Sequence, residues 1–332
     1  MSLKKISEMT GVSISTVSRV LNGRNHKAAS EEMNDKIWNA AWAINYTPNK
    51  AAQQLRSDAE KAKEKKKIAI NLVFARSAST TNDPFFKVLG RYIEEEILKS
   101  GCALGAQITR FDILEKTVKS EVGDNPTIIM GRCSSNIIKI IEKMTKNIIH
   151  VGLNEVKTHH DQVLCSGYEA AKMAVGYLIR KGHRKIAYIG ECDMENRYRG
   201  YYDTLCKHNI PFDKRLVLDT SMTIQGGEAA VNKMLSSRLF PSALFCSNDA
   251  TAVGAFLALK EHNINIPGDM AVISIDDIDL AGQLKPSLST IWIPKEAMGK
   301  MAVKMLLDRV NGGHREQIKI EFPCKLIKRE SC

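Results

Sequence analysis

The chain lacks any apolar run long enough to span a membrane, and its amino end lacks the apolar core of a secretion signal. Both absences predict a protein of the cytosol with no membrane partner. Its eight cysteines, Cys102, Cys133, Cys165, Cys192, Cys206, Cys246, Cys324 and Cys332, are scattered with no CxxC pair. That excludes paired metal-ribbon spacing and favours reduced thiols over a disulfide framework. No GxGxxG and no GxxxxGK[ST] occurs, so no phosphate-cradling loop and no cofactor are implied.

What is present is a globular chain of 332 residues, 44% hydrophobic and 26% charged, long enough for two or three domains. The formal charge of +11 is unevenly placed. Residues 1 to 67 hold 13 Lys+Arg against 7 Asp+Glu, and the other four-fifths hold 35 against 30. A basic amino-terminal module on a milder body is the footprint of phosphate binding, with a solvated charged surface as the plainer reading.

Within that module, residues 11 to 23 read as the second half of a helix-turn-helix. Gly11 permits a tight turn out of a first helix, Leu3 to Met9; Ser13 offers a hydroxyl cap to the next helix, and Gly23 ends it. Val17, Val20 and Leu21 share one face, and Ser15, Thr16, Ser18 and Arg19 the other. Arginine can grip guanine, and small hydroxyls meet base edges or phosphates, so the polar face suits the DNA major groove. An ordinary capped surface helix is the alternative. A third helix starts at Ser30 with Ile37, Ala40, Ala41 and Ile44 inward and stops at Tyr46-Thr47-Pro48-Asn49; Asn49 then caps a short helix to Leu55.

Val12-Ser13, Thr16-Val17-Ser18-Arg19, Leu21-Asn22, Tyr46, Pro48-Asn49, Ala52 and Leu55 together resemble the start of the lactose/galactose-repressor (LacI/GalR) family of bacterial transcription regulators. The resemblance implies a DNA-binding domain over 1–56 with a hinge helix at 49–56. Ile14, Ser15, Thr16, Ser18, Arg19, Asn22, Asn49 and Ala52 would contact operator DNA, and Leu55 would wedge into the minor groove. Ser57 to Lys67, poor in apolar residues and rich in lysine, reads as a charged linker longer than is usual in the family.

From Ile68 onward, short apolar runs alternate with helical patterns. Strands are expected at 68–74, 103–108, 127–130, 148–151, 186–189, 216–218, 243–246, 271–275 and 289–293, and helices notably at 85–99, 168–181, 250–261 and 295–310. This rhythm predicts an α/β body, doubly wound, with parallel sheets in two lobes. By resemblance the body is periplasmic-binding-protein-like, lobe 1 being about 68–161 plus 292–322 and lobe 2 about 162–291 plus 323–332.

Ligands of such sheets bind beyond the carboxyl ends of the strands. Four of those ends carry Asp83-Pro84-Phe85-Phe86, Arg197-Tyr198-Arg199-Gly200-Tyr201, Ser247-Asn248-Asp249 and Asp276-Asp277. The family resemblance makes Arg197, Asp249 and Asp276 the grip on an effector, with Asp83 at its other end, Phe85 or Phe86 bordering it, and Met222 where relatives often present an aromatic ring. Carboxylates and a guanidinium fork together suit a polyol such as a sugar. A helix cap is the structural alternative for Asp249 and Asp276. The long first loop with Asp-Pro-aromatic-aromatic is similar to the branch that senses β-galactosides.

Three further groups invite chemistry. Cys192 could sense oxidation beside a cleft, though a packed thiol is the plainer reading. His183 after Gly182 reads as a packed turn residue. His159-His160-Asp161 could suggest metal, but adjacent side chains rarely share one ion, so a solvated loop and no metal ligand are expected. The reading is a ligand-controlled, sequence-specific transcription regulator, a repressor and a homodimer, partnered by double-stranded operator DNA and a carbohydrate effector. A glycoside-processing enzyme and a stand-alone sugar-binding protein are the competing classes, and neither needs a groove-reading helix.

Overall fold

The computed structural model describes residues 3–21, 30–44, 67–76, 83–109, 112 and 123–332. The chain divides into two compact units, Met1–Lys66 and Lys67–Cys332. The expected hinge helix and almost all of the charged linker lie outside the described residues, as do Asn22, Asn49, Ala52 and Leu55.

In the first unit, α1 (Leu3–Thr10) and α2 (Ile14–Leu21) are joined at Gly11, whose φ of +72° is one that L side chains rarely adopt. Ser13 caps α2 as expected, its Oγ accepting the Thr16 amide at 3.3 Å. With α3 (Glu31–Ala43) these helices close a small core of Ile6, Val17, Val20, Leu21, Ile37, Ala40 and Ala41. The apolar positions fall three or four apart, so one face of each helix is buried and the other faces solvent.

The second unit holds two six-stranded sheets. Sheet one takes β1 (Ala69–Phe74), β2 (Ala103–Thr109), β3 (Thr127–Met130), β4 (Ile148–Gly152), β5 (Asp161–Cys165) and β11 (Lys319–Phe322) in the order β11-β5-β4-β3-β1-β2, every pairing parallel. Sheet two takes β6 (Ile186–Gly190), β7 (Val217–Asp219), β8 (Ala243–Cys246), β9 (Ala271–Asp276), β10 (Ser289–Trp292) and β12 (Lys325–Ile327) in the order β12-β10-β9-β8-β6-β7. There only β12 runs antiparallel, beside β10.

Helices cross between the strands: α4 (Pro84–Lys99), α5 (Ser135–Glu142), α6 (Gly167–Arg180), α7 (Asn196–Lys207), α8 (Ile224–Ser236), α9 (Asp249–Glu261) and α10 (Lys295–Val310). The central strands are buried along their whole length, the mark of a parallel sheet covered on both faces. No helix among the described residues is long and apolar enough to cross a membrane.

The main departure from expectation is β5. Asp161 neither closes the first segment of lobe 1 nor sits in a solvated loop: it opens a fifth strand of sheet one, pairing with β4 and β11. Its carboxylate is buried and accepts from Arg309 Nε at 2.7 Å and Nη2 at 2.8 Å, from the Ile318 amide at 2.8 Å and lies 2.8 Å from His314 Nε2. An acid followed by Gln-Val-Leu-Cys reads as strand only when the distant residues that satisfy it are known. The chain therefore leaves sheet one after Cys165 rather than at 162, returns after Trp292 and leaves again after Phe322.

Candidate functional site

Three crossings between the sheets leave a cleft facing the carboxyl ends of both sets of strands. From the first lobe it is lined by Arg76, two residues past β1, by Asp83, Phe85 and Phe86 at the start of α4, by Arg132 past β3 and by Asn154 past β4. From the second come Arg197 of α7, Met222 before α8, Asn248 before α9 and Asp276 at the end of β9. Gly131 belongs to the lining too: a Cβ there would stand 2.7 Å from Cζ of Phe86, so only glycine lets that ring lie against the strand end.

The three carboxylates singled out from the sequence take three different parts. Asp83 caps α4, its Oδ1 accepting the amides of Phe85 at 3.0 Å and Phe86 at 3.3 Å. Asp249 does not line the cleft. It is wholly buried, with Oδ1 accepting from Ser274 Oγ at 2.5 Å and Thr290 Oγ1 at 2.7 Å, and Oδ2 from the Ile278 amide at 2.8 Å. Its place in the grip is corrected to that of a tie across sheet two; the cap of α9 is Asn248, which accepts the Thr251 amide at 2.9 Å. Burial pushes the Asp249 carboxyl up to about 6.

Of the two that line the cleft, Asp83 and Asp276, only Asp276 has a carboxylate that no hydrogen bond reaches among the described residues. Burial raises it well above the usual carboxylate range, and the nearby Asp249 adds to the rise. Asp276 and Asp277 have φ of +124° and +50°, a strained turn for non-glycine residues. Lys295 holds that turn from inside, its Nζ donating to the Asp276 carbonyl at 2.5 Å and the Asp277 carbonyl at 3.3 Å.

Arg197 does reach the cleft, but in company the sequence did not suggest. Glu195, buried and capping α7, takes Nε of Arg197 on Oε1 at 2.8 Å and Nη2 on Oε2 at 3.0 Å. Burial alone would push Glu195 up; the charge and hydrogen bonds of Arg197 override it and hold it down to about 2. Burial likewise opposes the charge of Arg197, and Glu195 more than compensates, lifting it above the ordinary arginine range. Met222 bends its thioether between two guanidinium groups, Sδ lying 3.2 Å from Arg76 Nη2 and 3.3 Å from Arg197 Nη2. A methionine is soft enough to serve as an acceptor there.

Charges also bridge the lobes at the mouth. Arg76 Nη2 meets Glu191 Oε1 at 2.7 Å and Arg132 Nη2 meets Glu191 Oε2 at 2.6 Å; Arg132 also donates to the Asp193 carbonyl. Deeper in, Asn154 donates to Glu195 at 3.3 Å and accepts the Asn196 amide at 3.0 Å. Burial, reinforced by Arg197, lowers the Arg76 pKa. The space left among these side chains is about 20 Å³, room for roughly one water.

Arg76, Arg132, Asn154, Glu191 and Glu195 were missed in the sequence, and Asn248 was met there only within Ser247-Asn248-Asp249, with no role of its own. Arg132 and Asn154 stand two residues past β3 and β4, ends that reading every strand rather than four would have included, while Arg76, Glu191 and Asn248 stand within two residues of ends that were read for other side chains. Glu195 gave the different signal of an acid one residue before a helix. Cys192 is not a sensor candidate: burial pushes its thiol up to about 12, so it stays protonated and unreactive. His183 is a turn residue as read, its Nδ1 lying 3.0 Å from Ser242 Oγ.

On the amino-terminal unit, Ile14, Ser15 and Arg19 are exposed and Thr16 and Ser18 half-buried; Ser15, Thr16, Ser18 and Arg19 lie away from the buried Val17, Val20 and Leu21, and Ile14 is the exposed first residue of α2. Arg19 Nε rests on the Ser15 carbonyl at 3.3 Å, and Ser13 Oγ lies 2.9 Å from both Ser15 Oγ and Thr16 Oγ1. Small hydroxyls and one arginine thus share the polar side of α2, with an exposed isoleucine at its start.

Comparison with known proteins places both units. Residues 2–49 match the model for bacterial regulatory proteins of the lacI family, and residues 175–332 the model for a periplasmic binding protein-like domain. A ribose operon repressor of Haemophilus influenzae is 28% identical over 337 residues, covering 99% of this chain and 98% of the relative. The HTH-type transcriptional repressor PurR of Aliivibrio salmonicida is 26% identical over 340 residues, covering 99% and 98%. The crystal structure of a LacI family transcriptional regulator from Enterococcus faecium with bound ribose superposes with a TM-score of 0.68 at 26% identity, covering 79% of this chain and 98% of that one.

Proposed function

Because the chain belongs to the lacI family of bacterial regulatory proteins, a DNA-binding transcription regulator rather than an enzyme, we propose that it is a homodimeric repressor whose affinity for its operator is set by a small sugar held between the two lobes of Lys67–Cys332. The observation that carries the effector half is Asp276, a buried carboxylate facing the cleft without a hydrogen-bond partner among the described residues. Such a group accepts hydroxyls and discriminates against an analogue that lacks them, since it would be left buried and unpaired.

Arg197, held in place by Glu195, supplies donors on the same wall, while Phe85 and Phe86 supply apolar surface on the other. Asp83 contributes through the start of α4, and Met222 yields to the incoming ligand. A ribose operon repressor among the full-length relatives and ribose in the Enterococcus faecium structure favour a pentose over the β-galactoside reading.

On the DNA side, Arg19, Ser15 and Ile14 would meet base edges, and Thr16 and Ser18 phosphates or base edges. Asn22, Asn49, Ala52 and Leu55 would complete the contact from outside the described residues, acting in the bacterial cytosol at the nucleoid. Two-fold symmetry of the dimer suits two half-sites of one operator. Operator and sugar then act on each other by linkage, each changing the other's affinity by the same factor.

The experiment is a thermal-shift screen of the full chain against pentoses, hexoses, sugar phosphates and nucleobases, with Asp276→Asn alongside. A sugar that stabilises the wild type and fails on the variant supports the reading. Silence for every sugar, or a shift of equal size in the variant, would remove sugar binding at this cleft.

A further inference from the structure

Away from the cleft, the described residues bring together one group of side chains with metal-ligand chemistry. It lies in the first lobe, where the loop entering β5 passes the carboxyl end of α5. Adjacent side chains rarely share one ion, but here, against the expectation of a solvated loop, His159 and His160 bring their rings together, with centroids 4.2 Å apart and planes tilted 54°. One donor atom each from Glu142, His159 and His160 lies within 4.8 Å of the others, and His160 Nε2 stands 3.4 Å from Glu142 Oε1.

Thr158 Oγ1 lies 2.8 Å from His160 Nδ1 and accepts the His160 amide at 3.3 Å. In the tautomer that places Nδ1–H on that hydroxyl, Nε2 turns a lone pair towards the Glu142 carboxylate, and a metal cation between them would take both.

Behind it, His150 stacks on His160 with centroids 5.6 Å apart and is buried with neither ring nitrogen hydrogen-bonded. Arg309 is engaged by Asp161, which it grips with two hydrogen bonds at 2.7 and 2.8 Å. That grip also fixes the loop's end next to His160.

We propose that Glu142, His159 and His160 form a two-histidine, one-carboxylate site for a divalent transition cation of the Zn²⁺ class, fastening the end of α5 to the loop that enters β5. Donor atoms around one tetrahedral Zn²⁺ stand about 3.3 Å apart, given metal–ligand distances of about 2.0 Å. The His160–Glu142 separation already matches this, and the exposed His159 side chain supplies the remaining adjustment. The nitrogen-rich set selects against Mg²⁺ and Ca²⁺, and three protein ligands leave the fourth position to water.

The test titrates the full-length chain with Co²⁺ as a spectroscopic probe and with Zn²⁺ in calorimetry and thermal unfolding. His159→Ala and Glu142→Gln are the variants, since neither removes a buried side chain. The expected result is one equivalent of Co²⁺ with d–d bands and no thiolate charge-transfer band. Zn²⁺ at a hundredfold excess over its Kd should raise Tm by about 5 °C. Each variant should lose tenfold or more in affinity, and Mg²⁺ should produce no shift. The proposal is overturned by no binding, by affinity unchanged in both variants, by a thiolate band marking a cysteine site, or by an equal response to Mg²⁺. The first two outcomes would mean that the Thr158 hydroxyl donates to Nδ1 and Nε2–H bonds to Glu142, with no metal involved.

Discussion

Arg197 grips Glu195, two residues before it, in a two-pronged pair with both side chains buried, Nε to Oε1 at 2.8 Å and Nη2 to Oε2 at 3.0 Å. Its remaining nitrogen, Nη1, donates to the Ser247 carbonyl at 3.0 Å. An arginine read from the sequence as a ligand grip is therefore also a structural member of the second lobe. Removing Glu195 alone leaves a buried, uncompensated guanidinium, so Glu195→Gln should lower stability by about 3–5 kcal/mol in chemical denaturation. A loss below about 1 kcal/mol would show that water or another acid takes over the pairing.

The same pair predicts an acid transition. Glu195 is held down to about 2 in the folded state, against 4.5 ordinarily. A depressed carboxylate contributes stability that is fully present above its unfolded pKa and lost as pH falls through its folded one. The window is therefore pH 4.5 to 2, with about 3 kcal/mol at stake. Stability measured across that window should fall less steeply in Glu195→Gln than in the wild type; parallel curves would assign the acid sensitivity elsewhere.

Glu191 ties Arg76 and Arg132 of the first lobe to the second. With about 20 Å³ free inside, a monosaccharide enters only if these contacts give way. Glu191→Gln removes the charge from both contacts, each partly exposed and worth less than about 1 kcal/mol. The variant should bind the effector up to about fivefold more tightly in calorimetry. Weaker binding would mean that Glu191 itself contacts the ligand.

The two units should fail separately. Arg19→Ala should abolish specific operator binding in a mobility-shift assay and keep the sugar-induced thermal shift, because Arg19 lies in the first unit and the cleft in the second. Asp276→Asn should keep operator binding and lose the thermal shift. Loss of the same activity in both variants would contradict a two-site regulator.

Leu55, outside the described residues, is expected to wedge into the operator's minor groove. Leu55→Ala should then weaken specific binding more than non-specific binding, measured at one fixed salt concentration. Equal losses would assign Leu55 a role in its own helix.

The sequence by itself determined much of this. The three amino-terminal helices follow from apolar residues spaced three and four apart and from Gly11 and Ser13, all signals within one turn of the chain. The central strands were legible because both faces are buried, which leaves short, nearly continuous apolar runs between helical patterns. Where the cleft would lie followed from strand ends alone.

What only the tertiary structure decided was what each polar side chain does there. Asp83, Asp249 and Asp276 look alike in sequence, each an acid at a strand or helix boundary. One caps a helix, one ties a sheet from within and one faces the cleft, because their partners Ser274, Thr290 and Ile278 are 25 or more residues from Asp249 in the chain. Likewise Asp161 could open a strand only because Arg309, His314 and Ile318 arrive from some 150 residues away. A hydrophobic pattern is local and periodic, so it is written in the order of residues. The fate of a buried charge rests on the groups that meet it, and folding alone brings those together.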